Sequence, residues 1–149
     1  MFRRVLAAAL LGGGILVGAA AGAASAPQPV SGQWLTADHQ AVIALAPCGA
    51  AECGRIVGMV FDHPNDPEPL DWRGRAQCGE TIITVTPTSD GSWQGEVLDP
   101  RTGTRYRAKL WRDAGRLALR GYVLTPLLGE TQNWRAFAGQ ILPGCHLPG

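Results

Sequence analysis

Between residues 81 and 122 the chain alternates apolar and polar side chains run after run, with short loops built on aspartate and glycine between them. Ser92–Leu98 sets Trp93, Gly95 and Val97 against Gln94 and Glu96. Thr104–Trp111 sets Tyr106, Ala108 and Leu110 against Arg105, Arg107 and Lys109. Arg116–Tyr122 sets Leu117 and Leu119 against Arg116 and Arg120, and Thr81–Thr86 is β-branched nearly throughout. A period of two belongs to a half-buried strand. Asp90-Gly91, the five residues Asp99 to Gly103, and Asp113-Ala114-Gly115 fall between runs, as hairpin loops do. The pattern therefore predicts antiparallel strands that follow one another in sequence order, each with one face in a shared core.

The flanking chain has the same character. Ser31–Thr36, Ala41–Ala46, Gly54–Phe61 and Gln132–Phe137 read as further strands, although Val42 blurs the alternation of its run. No helical period is present. About eight short strands joined by hairpins predict an all-β fold over residues 31–137, an antiparallel up-and-down β-barrel. Gly32 and Trp34 at its start and Arg135 at its end form a predicted closure. The Trp34 indole fills one end of the barrel and the Arg135 guanidinium stacks over it.

The N-terminus reads as an export signal over residues 1–23. Arg3 and Arg4 precede an uncharged apolar run from Val5 to Gly22. Ala21-Gly22-Ala23 and Ala24-Ser25-Ala26 both offer small-residue cleavage sites. Pro27 follows the second, which favours cleavage after Ala23. About 125 residues remain, one domain with no membrane span. Losing Arg3 and Arg4 takes 13 basic residues to 11 against 12 acidic, a net charge of −1. That balance gives no electrostatic case for nucleic acid or for an anionic membrane surface. Four cysteines in an exported chain predict two disulfides. Proximity pairs Cys48 with Cys53 and leaves Cys78 with Cys145, which ties the tail at 138–149 to the mid-chain. The cysteine spacing fits no common zinc module, so no metal is expected.

Several segments resemble an exported bacterial family, domain-of-unknown-function family 2147. They are Gly32-Gln33-Trp34-Leu35-Thr36, Cys48 with Cys53-Gly54-Arg55-Ile56-Val57, and Arg73-Gly74-Arg75-Ala76-Gln77-Cys78-Gly79. Trp93 to Pro100 with Gly103 and Tyr106, then Leu117, Arg120-Gly121 and Thr131 to Arg135, complete the likeness. The match runs from about Ser31 to Phe137. Tyr122 stands where the family often has a cysteine, and Cys145 lies beyond its usual end. The resemblance implies a lipocalin-like (calycin) barrel exported to the periplasm, and it brings no activity with it.

No nucleophile elbow, zinc-protease helix or phosphate loop is present. His39 beside Asp38 and His63 between Asp62 and Asp66 are loop neighbours, so no catalysis and no cofactor are expected. The candidate binding surface is the inward face of the barrel: Trp34, Leu45, Ile56, Trp93, Tyr106, Leu110, Leu119 and Trp134. Arg55, Arg75 and Arg120 are candidate anchors for an acidic group at the mouth. Asp62 to Gly79 is eighteen residues without periodicity, stiffened by three prolines, and reads as an ordered flap over one mouth. The expected partner is a small apolar or amphipathic molecule. The alternative is a filled core whose outer surface meets an envelope protein.

Overall fold

A computed structural model describes residues 18, 19 and 22–148; most of the expected export signal lies outside them. Among the described residues there are eight strands: β1 (Gly32–Leu35), β2 (Ala41–Cys48), β3 (Ala51–Met59), β4 (Thr81–Pro87), β5 (Trp93–Leu98), β6 (Arg105–Asp113), β7 (Arg116–Tyr122) and β8 (Glu130–Ala136). They pair in sequence order, all antiparallel, and β8 returns to β1 to close the barrel. Closure gives every described strand two neighbours, although the β1–β8 seam is short, pairing only Trp34 with Ala136 and Leu35 with Arg135. Among the described residues no helix is long and apolar enough to cross a membrane.

Alternation carries through to burial. Ala108 and Leu110 on β6 and Leu117 and Leu119 on β7 are buried and cross-paired, Leu110 with Leu119. Their odd-numbered neighbours on β6, Arg105 and Arg107, stay exposed. Val42 is buried although it faces away from Ile43. A bulge in β3 at Val57 lets Gly58 pair with Val42 on the outer face, and Leu147 of the C-terminal tail covers both. The blur in the β2 pattern is thus a second, small apolar contact outside the barrel.

One end of the barrel is plugged. Residues 28–31 cross it: Trp34 Nε1 donates to Val30 O at 2.8 Å, and Trp93 Nε1 donates to Gln28 O at 3.0 Å. The arginine over Trp34 is Arg112, with its guanidinium carbon 4.8 Å from the ring centroid, and not Arg135. Parity explains the correction. Trp134 points inward and is buried, so its neighbour Arg135 must point outward, where its Nη2 meets His39 Nε2 at 3.0 Å. Arg112 shares the inward parity of Ala108 and Leu110, at the plugged end. Gly32 opens β1 with φ 139°, a region that side-chain-bearing residues rarely enter.

Disulfides join Cys48 to Cys53 across the β2–β3 turn, and Cys78 to Cys145. The tail is not a free end. Met59 N donates to Cys145 O at 2.7 Å, Leu147 N donates to Met59 O at 2.9 Å, and His146 stacks on Phe61.

Candidate functional site

In an up-and-down barrel alternate connections share an end. The β1–β2, β3–β4, β5–β6 and β7–β8 loops therefore ring the end opposite the plug. A cavity of about 670 Å³ opens there. Its wall is apolar: Ala41, Ile43, Ile56, Met59, Ile82, Val97, Leu119 and Trp134. Its rim is polar: Thr36, Asp38 and Gln40 from the first loop, Gln77 from the second, and Asp99 and Arg101 from the third. Glu130 and Gln132 reach it from β8, whose even-numbered residues face inward with Trp134.

The strands supply the wall through small irregularities. A register shift between Gly54 and Arg55 in the β3–β4 pairing puts both Ile82 and Ile83 of β4 toward the interior, Ile82 at the cavity and Ile83 fully buried. Gly121 on β7 leaves room: a Cβ there would sit 3.9 Å from Val97 and 4.0 Å from Tyr106, ordinary contact. The plugged end is tight by contrast, because a Cβ on Gly54 would lie 2.9 Å from Ile83 and 3.1 Å from Ile43 and Leu45. Space is confined to the open half.

Charge at the rim is fixed and largely self-compensating. Arg101 donates to both oxygens of Asp99, at 3.2 and 3.0 Å. That hydrogen bond holds the Asp99 carboxyl below the ordinary carboxylate range, so the pair is ionised. Trp134 Nε1 donates to Gln132 Oε1 at 2.9 Å, which turns the indole and the amide into one hydrogen-bonded unit in the wall. Such a site can hold an apolar body in the wall and a polar or charged group at the rim.

The candidate residues divide. Ile56, Tyr106, Leu119 and Trp134 line the cavity. Trp34, Leu45 and Leu110 belong to the packed core, and Trp93 packs against that core from the plugged end. Arg120 stands on the outer face, bonded to the carbonyls of Pro126 and Leu127 and to Thr131 Oγ1 at 2.7 Å. Arg55 is exposed and pairs with Thr81 across the β3–β4 ladder. Arg75 is exposed too, and its Nε donates to Asp71 at 3.3 Å. None of these three arginines lines the cavity. Met59, Ile82, Glu130 and Gln132 escaped the sequence reading. The β8 pair was accessible by counting back in twos from Trp134; Met59 and Ile82 were not, because Met59 follows the bulge at Val57 and Ile82 is itself the extra residue of a bulge.

The eighteen-residue segment is folded around one buried carboxylate. Asp71 Oδ1 accepts from the backbone N of Arg73 at 2.8 Å and of Arg75 at 2.9 Å, while Oδ2 takes both guanidinium groups. Trp72 N donates to Pro100 O, which docks the segment on the β5–β6 loop. Only Pro69 and Gln77 of it reach the cavity rim. Among the described residues no group of acids, histidines or cysteines could hold a metal ion. His63 is 80% exposed and bonds Asp66 away from the cavity.

A family model described as an uncharacterized protein conserved in bacteria (DUF2147) matches residues 32–136. Among solved structures the chain is similar to the Helicobacter pylori protein HP1028, described as belonging to the lipocalin family. The two share 14% identity and a TM-score of 0.60 over 74% of this chain and 84% of that one. At that identity the likeness is one of fold. No curated protein matches the sequence.

Proposed function

Because this chain belongs to the bacterial family DUF2147 and its barrel is open at one end, we propose that it binds a small apolar or amphipathic molecule inside that barrel. The cavity carries this reading. Its roughly 670 Å³ falls inside the ~300–1,000 Å³ range of small-molecule sites. An eight-stranded barrel can equally be filled by its own side chains, and a cavity of this size weighs against the filled core. The apolar wall and polar rim favour a ligand with a hydrocarbon or aromatic body and one polar end.

Export to the periplasm is part of the same proposal. It is supported by the two disulfides, which persist in oxidising compartments, and by the export signal expected from the first 23 residues. Native mass spectrometry of the protein purified gently from bacterial periplasm tests the proposal. A reproducible added mass that is lost on denaturation is the expected result. A bare protein mass under conditions that keep a known lipocalin loaded contradicts it.

A further inference from the structure

Four charged side chains line the cavity: Asp38, Asp99, Arg101 and Glu130. Arg101, the one cation among them, is held on both oxygens of Asp99 and cancels that charge. Asp38 and Glu130 are left over, so three carboxylates against one guanidinium give the rim a net charge of −2. Asp38 accepts from Thr36 Oγ1 at 2.7 Å and from Gln40 N at 3.0 Å, both at Oδ1. Its Oδ2 and the Glu130 carboxylate have no hydrogen bond or ion pair among the described residues. The nearby cations are committed elsewhere. Arg135 points outward to His39, Arg73 and Arg75 hold Asp71, and Arg105 and Arg107 stand on the outer face beside Glu96.

An independent feature of the same cavity is nearly buried. Gln77 is 9% exposed and lines the cavity. Its Nε2 donates to Leu70 O at 2.9 Å; a carbonyl can only accept, so the amide is oriented and Oε1 is left over. Oε1 has no partner among the described residues, and it is not one of the partnerless side-chain atoms sealed inside the protein, which belong to Glu52, Glu80 and Arg112. The residue is also rigid. Gln77 N donates to Pro69 O at 3.0 Å, Gln77 O accepts from Glu80 N at 3.0 Å, and the next residue, Cys78, is disulfide-bonded. An acceptor held in place without a protein donor is preorganised for a donor on a ligand. The donor that the β8 side keeps free, Gln132 Nε2, is neutral, because Trp134 Nε1 takes the Gln132 oxygen. Two free carboxylates and a fixed amide oxygen suit an ammonium group, which carries three N–H donors and a positive charge.

We propose, on the basis of that same ligand site in the barrel, that its occupant is a cationic amphiphile: an ammonium group donates at the acceptor-lined rim of Asp38, Gln77 and Glu130, and the hydrocarbon body lies against the apolar wall. A carboxylate in that place would meet two like charges. The arginines expected to anchor one, Arg55, Arg75 and Arg120, do not line the cavity.

Three ligands with one nine-carbon chain and different heads test this: nonylammonium, nonanol and nonanoate, each displacing the fluorophore N-phenylnaphthylamine from the disulfide-bonded protein at pH 7. Nonylammonium is expected to displace it at a concentration at least about tenfold below that of nonanoate, with nonanol between them. Salt is expected to narrow the gap. In the double variant Asp38→Asn/Glu130→Gln, whose fold is checked by near-ultraviolet circular dichroism, the ratio of the two charged ligands is expected to fall severalfold. Nonanoate that matches or outdoes nonylammonium overturns the cationic head and leaves the ligand site standing. Nonylammonium that fails to displace the fluorophore, or a ratio unchanged in the double variant, also overturns it. A fluorophore that does not bind wild type removes the ligand site itself, and the cationic ligand with it.

Discussion

Trp34 and Arg112 show how one pair finishes an end of the barrel. Burying an indole stabilises by roughly 2–3 kcal/mol, and a cation–π contact adds roughly 0.5–2. Burial therefore sets where Trp34 goes, and Arg112 sets how that end is sealed, since its Nη1 also donates to Pro29 O at 3.1 Å. Arg112→Ala is expected to lower stability by about 1–3 kcal/mol in urea unfolding with disulfides intact, and Arg135→Ala by less than about 0.5. Equal losses would return the closing role to Arg135. The tryptophan was legible in the sequence and its arginine was not. Choosing Arg135 overlooked that it adjoins an inward Trp134, and Arg112 lay one residue past the run read as Thr104–Trp111, whereas the strand continues to Asp113. Glu80 adds a pH effect. Burial, then the nearby Asp71, raises its pKa, and its Oε2 has no partner. The fold thus favours the protonated acid, a contribution fully present below the unfolded value near 4.5 and lost as pH rises through the raised folded value. Glu80→Gln is accordingly expected to exceed wild type in Tm at pH 7 and to converge with it toward pH 4. A variant less stable than wild type at pH 7 would contradict this.

At the scale of elements, strands were readable and their irregularities were not. Alternation located β5, β6 and β7 to within a residue or two, because inward and outward faces differ sharply there. It began β3 three residues late, at Gly54, because the inward residue before it is Glu52, a buried acid that accepts from Ser31 Oγ at 2.7 Å. The bulges that bring Met59 and Ile82 to the cavity leave no period in the sequence. The long β3–β4 segment was readable as ordered from its prolines and Cys78, but Asp71 looks no different in sequence from its neighbouring acids. Asp71→Ala removes the acceptor of two backbone amides, while the two exposed arginines turn to solvent and Arg73 keeps Glu80. It is expected to cost about 1–3 kcal/mol and to raise amide hydrogen exchange across residues 66–77 well above that of the strands. Uniform exchange protection in the variant would show that the disulfide alone holds the segment. Gly95 tests the sheet itself. A Cβ there would lie 2.0 Å from Thr84 O, so Gly95→Ala is expected to lower Tm steeply while Gly121→Ala is tolerated. Comparable Tm values for the two variants would place the constraint elsewhere.

For the whole molecule, a barrel packed tightly at one end and hollow at the other points to binding at the hollow end. The order of strands and the pairing of Cys48 with Cys53 were legible, because each follows from local spacing; Cys78 and Cys145 were paired only as the two left over. The division into a packed half and an open half was not, because inward residues look alike in sequence whether they meet one another or a void. Titration with the apolar fluorophore N-phenylnaphthylamine, comparing wild type with Gly121→Leu, tests that division most directly. The leucine would project between Val97 and Tyr106 and occupy the cavity without displacing the backbone. Saturable fluorescence enhancement with wild type, and its loss in a Gly121→Leu protein of unchanged fold, is the expected result. Equal enhancement in both, or none in wild type, would contradict a ligand site inside the barrel.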